Sequence, residues 1–211
     1  MFRNNDKDKF SVEKQNILGA GVMLEPLSQK HLQGLRKVVI ENDLWKMKET
    51  IIPHPNSLND YYSASEIAFQ KGEELVFAII DTNTQSIAGC TRFRNINTLH
   101  RKAIIGPTFI GSDFQRTHVN TETKYLMLNH AFETWSLNRI ELICDVLNVC
   151  SRNAITRLGA VEEGIIRNDQ VMPDGRIRDS VLHSIIKDDW SHIKNRLEIK
   201  KEAFNYHLLS A

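Results

Sequence analysis

Two strand-to-helix junctions hold the residues best suited to chemistry. At the first, an apolar run over residues 103–110 (AIIGPTFI) ends in a polar loop over residues 111–120 (GSDFQRTHVN) that opens a helix. Backbone N–H groups at a helix N-terminus have no intrahelical partner and lie at the positive end of the helix dipole, so such a loop can receive an anion. Arg116 adds a fixed cation whose fork matches phosphate oxygens. At the second, Asn148-Val149-Cys150-Ser151 leads into a short helix stopped by Gly159. Asn148 can cap that helix, and Ser151 brings a hydroxyl to its first turn. Taken singly, each junction has a structural explanation: many strand–loop–helix units carry an arginine, and an Asn before a helix is first of all a cap.

Other reactive side chains carry less. Asp145 ends the strand before the second junction, where aspartates commonly serve turns. Glu141 lies in the middle of that strand. Cys150 could be acylated, but no histidine is near it in sequence to activate the thiol. The eight histidines form no HxxxH or HExxH pair, so no metal site is expected. Trp45 lies between two predicted helices near Pro53 and Pro55, where core packing is the expected role.

The elements that position these residues are legible from periodicity. Strands are expected over 22–27, 75–81, 87–96, 103–110, 139–145, 163–170 and 180–186. Helices are expected over 29–41, 57–71, 120–135, 151–158 and from Asp188 or Asp189 to about Tyr206. Ser28 and Ser57 fit as caps, Gly72 and Gly159 as stops. Gly106-Pro107 interrupts its strand, because proline cannot donate to a sheet ladder. Strand–helix–strand units in the middle imply parallel pairing, and the flanking hairpins imply antiparallel pairing. The expected fold class is therefore α/β (α+β), a twisted mixed sheet of about seven strands flanked by helices, in one domain over residues 17–211 behind a flexible arm over residues 1–16.

Composition excludes several classes. The 211 residues carry 27 Lys and Arg against 26 Asp and Glu, without the basic surplus that phosphate neutralisation demands of nucleic-acid binders. The basic clusters at Arg92–Arg94 and 187–201 are interleaved with apolar and acidic residues, as on solvated strand and helix faces. No apolar run approaches the ~20 residues of a membrane span, and the first 16 residues lack the apolar centre of a secretory signal. Cys90, Cys144 and Cys150 are odd in number and unpaired in spacing, which points to reduced thiols and a cytoplasmic location.

Taken in order, the motifs are far more specific. They are Gly-x-x-Leu-Glu-Pro-Leu (21–27), Ile-Gly-Pro-Thr-Phe-Ile (105–110), Phe-Gln-Arg-Thr-x-x-Asn-Thr-Glu-x-Lys (114–124), Asp-x-x-Asn-x-x-Ser (145–151), Arg-Leu-Gly-Ala (157–160) and Asp-Gly-Arg-x-Arg-Asp-Ser (174–180). Over residues 18–190 the chain resembles the GNAT superfamily of acyl-CoA N-acyltransferases, most closely its RimJ/RimL-type branch of ribosomal-protein N-terminal acetyltransferases.

The resemblance implies a V-shaped splay between the strands ending at Ile110 and Asp145, holding the pantetheine arm of acetyl-CoA against the backbone of Phe109 and Ile110. It implies a pyrophosphate loop over Gln115, Arg116, Thr117, His118, Val119, Asn120 and Thr121. Asn148 matches the position that contacts the pantetheine arm, and Ser151 the position near the sulfur. The two glycines of the family's loop are replaced by His118 and Asn120, so the loop would sit further out or use side chains.

The implied activity moves an acetyl group from acetyl-CoA to a primary amine, on a protein N-terminus or a small molecule, with no nucleic acid, membrane or metal involved. An α-amine is on the order of 10% neutral at pH 7 and an ordinary lysine below ~0.1%, so α-amines need only a weak base. Ser151 would donate to the departing thiolate, with Asn148 beside it and Asp145 at the mouth of the V. Two other readings share the scaffold: a non-catalytic acyl-CoA-binding module and a structural protein keeping only the fold. Either a monomer or a homodimer formed through the hairpin at residues 173–178 is compatible with the pattern.

Overall fold

The computed structural model describes residues 10–41 and 43–209, with side chains described to residue 201. Strand β3 (Leu75–Asp81) is apolar from Leu75 to Ile80 and buried at every position. Alternation assigns its two faces: Leu75, Phe77 and Ile79 enter one core, and Val76 and Ala78 enter a second. The first core receives α3 (His118–Asn129) and α5 (Lys187–Leu209), through residues such as Val119, Met127, Trp190 and Leu197. The second receives α1 (Leu32–Glu41) and α2 (Leu58–Gln70), through Leu35, Val39 and Leu58. Helices on both faces are what a strand buried on both faces requires.

The described residues form one mixed sheet of nine strands, against the seven expected. In spatial order it runs β1 (Ile17–Leu18), β2 (Val22–Pro26), β3, β4 (Ser86–Asn97), β5 (Lys102–Ile105), β7 (Arg139–Asp145), β9 (Ile177–Ile186) and β8 (Val161–Val171). Two features account for the difference. A two-residue β1 pairs with β2, and the run at 103–110 splits into β5 and β6 (Phe109–Ile110) at the cis Gly106–Pro107 bond. The β3–β4 turn is held by Asp81, whose Oδ1 accepts from the Asn83 and Thr84 amides at 3.0 and 2.8 Å.

Three further expectations are corrected. The arm expected over 1–16 falls partly outside the described residues, at 1–9. Residues 10–16 lie against the body: the Phe10 ring stacks on Trp135 with centroids 5.0 Å apart, and Lys14 pairs with Glu66. The helix expected from Asn120 begins at His118 under a Thr117 cap and ends in a wider turn over His130–Thr134. Arg92 is not on a solvated face, because its guanidinium pairs with Glu74 at 2.7 Å and lies over the Tyr61 ring. Trp45 packs beside the second core with its ring against His54.

His130 carries a pH dependence. It is 5% exposed among Phe93 and Trp135, its Nε2 has no hydrogen-bond partner, and burial pulls its imidazole from the ordinary 6.5 to about 4. The folded state therefore resists a proton that the unfolded chain accepts. Stability is intact above pH 6.5 and falls as pH drops toward 4. Thermal melts across this range should lose several degrees, and His130→Phe should flatten the decline. An unchanged slope in that variant would mean that the loss arises elsewhere.

Candidate active site

β5 and β7 run parallel through three pairs, Lys102↔Arg139 to Ile104↔Glu141, and then part. Beyond the break at Pro107 the chain pairs only with β4, through Gly89↔Ile110 and Cys90↔Phe109. The resulting V opens onto a cavity of about 830 Å³. One wall is the splayed strand, including Ile105, Thr108 and Ile110. The other is β7 with α4 (Val149–Leu158), including Leu142, Cys144 and Ser151.

Backbone direction along β6 follows from one bond. The Gly111 N–H donates to the Ala88 carbonyl at 2.9 Å, so Phe109 and Gly111 turn their polar groups to β4 and Ile110 turns its own to the opening. Gln115 Nε2 donates to the Ile110 carbonyl at 2.9 Å, leaving the Ile110 N–H as the donor on this edge. Phe109, by contrast, is 5% exposed and packs into the second core.

The loop entering α3 brings Gln115, Arg116 and Asn120 onto the cavity wall. Arg116 itself takes the left-handed conformation (φ 63°). The other loop residues are used differently. Thr117 Oγ1 caps the helix by accepting from the Val119 N–H at 3.3 Å, and the Val119 side chain is fully buried in the core. Thr121 is half-buried and off the wall. His118, at a family glycine position, turns away: its Nε2 lies 3.2 Å from the Gly21 carbonyl and 3.5 Å from Asp81. A Cβ at Gly21 would lie 2.6 Å from that ring, so Gly21 makes room for the side chain. Neither His118 nor Asn120 has a positive φ, so the helical start needs no glycine there. Glu122 completes the junction, accepting from the Ala20 amide at 2.6 Å and the Gly21 amide at 3.1 Å.

On the opposite wall, Asn148 Oδ1 accepts the Ser151 N–H at 2.9 Å, capping α4 and fixing Ser151 where it lines the cavity. Asn148 itself is off the wall, so its role in this structure is to position Ser151. Asp145 is corrected more sharply. It is fully buried, its Oδ1 accepts from Leu147 N–H, and its Oδ2 pairs with Arg176 from the β8–β9 turn. Both oxygens are committed, so it is a structural anchor rather than a base. The same Arg176 donates to the Lys48 carbonyl at 3.0 Å, folding the hairpin back onto its own chain.

Three cavity residues lie in sequence motifs or clusters but are given no site role by the sequence. Lys124 is 7% exposed and donates to Thr108 Oγ1 at 2.6 Å, and burial lowers its ammonium from 10.5 to about 7. Thr108 Oγ1 also lies 2.7 Å from Thr91 Oγ1, so this chain ties α3 to the splayed strand. Its signal was helical phase, four residues after Asn120 and four before Leu128. Arg94 and Arg178 also reach the cavity, from strands distant in sequence; Arg94 falls in the basic cluster at 92–94 and Arg178 in the motif at 174–180, but neither pattern points to a cavity. Among the described residues no group of three or more His, Cys, Asp or Glu could hold a metal, and no helix is long and apolar enough to cross a membrane.

Comparisons with known proteins bear on the family and the fold. A family model described as "Acetyltransferase (GNAT) domain" matches residues 22–161. A curated protein of Bacillus subtilis, "Putative ribosomal N-acetyltransferase YdaF", is 32% identical over 105 residues, spanning 50% of this chain and 56% of that protein. The chain thus spans little more than half the length of that relative. A solved GCN5-related N-acetyltransferase from Brucella melitensis aligns with a TM-score of 0.81 at 25% identity, covering 91% of this chain and 87% of its own. A solved RimL ribosomal L7/L12 α-N-protein acetyltransferase in complex with coenzyme A shares the fold at 18% identity, with a TM-score of 0.72 over 82% of this chain and 99% of its own.

Proposed function

The chain belongs to the GNAT acetyltransferase family and is an acyltransferase, and from that premise we propose that it moves an acetyl group from acetyl-CoA to a primary amine, on a protein N-terminus or a small molecule, by direct attack in a ternary complex. The observation that carries this reading is the parting of β5–β6 from β7, which leaves the Ile110 N–H unclaimed by the sheet at one edge of a cavity with Ser151 on its far wall. The residues present suit acetyl-CoA as substrate. Arg116 and the first-turn amides of α3 form an anion-receiving end for the pyrophosphate. The Ile110 N–H suits an amide of the pantetheine arm, and Gln115 holds the neighbouring carbonyl in place.

Within this frame the chain's contributions are positional and electrostatic. Holding amine and thioester together can supply several kcal/mol of the barrier. A backbone N–H of the splayed strand stabilises the developing oxyanion, a contribution of about 3 kcal/mol in comparable sites. Ser151 donates to the departing thiolate. A ribosomal-protein N-terminus is the acceptor suggested by the relative's name.

Isothermal titration with acetyl-CoA, using desulfo-CoA as a non-reactive control, tests the reading. Binding near or below ~100 µM, about −5.5 kcal/mol, is expected despite His118 and Asn120 in the loop. No detectable binding at millimolar ligand would overturn it.

A further inference from the structure

Arg116 is not the sole guanidinium on the cavity wall, and the mechanism above does not use the others. Arg178, on β9, is 7% exposed and lines the cavity. Its Nε has no hydrogen-bond partner, and its Nη1 reaches only the neutral Gln170 at 3.4 Å. Arg94, on β4, lines the same cavity and donates from Nε to the Gly106 carbonyl at 3.0 Å, just before the splay. Burial pulls the Arg94 guanidinium below its ordinary range; Glu74 and Asp169 oppose the shift, and the neighbouring cations Arg92 and Arg178 reinforce it.

The nearby carboxylates are engaged elsewhere. Glu74 holds Arg92 at 2.7 Å, and Asp169 accepts from Ser180 at 2.6 Å. Glu49 is the one carboxylate on the wall among the described residues. A buried guanidinium whose Nε lacks a partner, with a second, half-buried guanidinium on the same cavity wall, is costly to the fold. Their forked donors match a carboxylate in two-point contact. Arg116 and the start of α3 already account for phosphate.

We propose that the acceptor carries a carboxylate beside its amine, held by Arg178 and Arg94: an N-terminus followed by an acidic residue, or a free amino acid. This rests on the transferase reading above. A polyamine or a lysine-rich N-terminus would meet repulsion at the same place.

The test compares kcat/KM for matched peptides with an acidic, neutral or basic second residue, and for free amino acids, in the wild type, Arg178→Gln, Arg178→Lys and Arg94→Gln. The peptide and amino-acid arms separate the two sources of carboxylate. Wild-type preference for an acidic over a neutral acceptor should be at least about tenfold, or about 1.4 kcal/mol, and should appear in KM. Arg178→Gln should bring the ratio toward one and Arg178→Lys should restore part of it. If Arg178→Gln fails to fold in a thermal melt, Arg94→Gln and Arg178→Lys read the same ratio.

Equal kcat/KM for all acceptors in the wild type would overturn the proposal. So would a preference that survives both glutamine variants, or a loss of acetyl-CoA affinity in Arg178→Gln with the preference intact. Transfer to neutral amines alone would sink this inference and leave the transferase reading standing. Acetyl-CoA binding without transfer to any amine would sink both.

Discussion

Ser151→Ala should lower kcat by about 10²-fold, or about 2.7 kcal/mol, with little change in acetyl-CoA affinity. Ser151 lines the wall opposite the splayed strand, and its own N–H is held at 2.9 Å by the Asn148 cap, so the first turn of α4 fixes where its side chain starts on that wall. A hydrogen bond to the departing sulfur gains strength as the thioester bond breaks, because charge collects there. It therefore acts in the transition state more than in the ground state, which places its effect in kcat. A thiolate leaves readily, so the effect belongs at the lower end of the range for acid catalysis. Single-turnover measurements separate chemistry from product release. An unchanged single-turnover rate would remove Ser151 from the mechanism.

Gly89→Ala should damage both the fold and the site. A Cβ at Gly89 would lie 2.1 Å from the Phe109 carbonyl oxygen and 3.0 Å from the Ile110 Cα, both rigid backbone atoms. No side chain can swing aside to relieve that contact, so β6 must move off β4 or the variant must lose stability, at a cost of about 2–4 kcal/mol. β6 carries Ile110, whose N–H faces the cavity, so movement there should weaken acetyl-CoA binding as well. Denaturant melts should show the stability loss, and titration of the folded fraction should show at least a tenfold weaker Kd. Wild-type stability and affinity together would mean that β6 is not held as described.

These two effects differ in how far the chain alone could foretell them. Ser151 was visible locally, because an Asn three residues before a Ser at a helix start is a short-range pattern. The requirement for glycine at position 89 was not, since its partner Phe109 lies 20 residues on and meets it only through the β4–β6 pairing.

What the sequence determined by itself was the order and type of the elements, the break at Gly106–Pro107, the two junctions and the family they resemble. Each follows from periodicity, capping or a missing N–H within a few residues. Tertiary structure alone decided which polar groups remain available. Asp145 is spent on Arg176, 31 residues away, and His118 on Gly21, 97 residues away. Lys124, Arg94 and Arg178 enter the cavity from three separate elements. A local pattern sets the face on which a side chain lies, whereas the charge or carbonyl that meets it is brought there by sheet order and register.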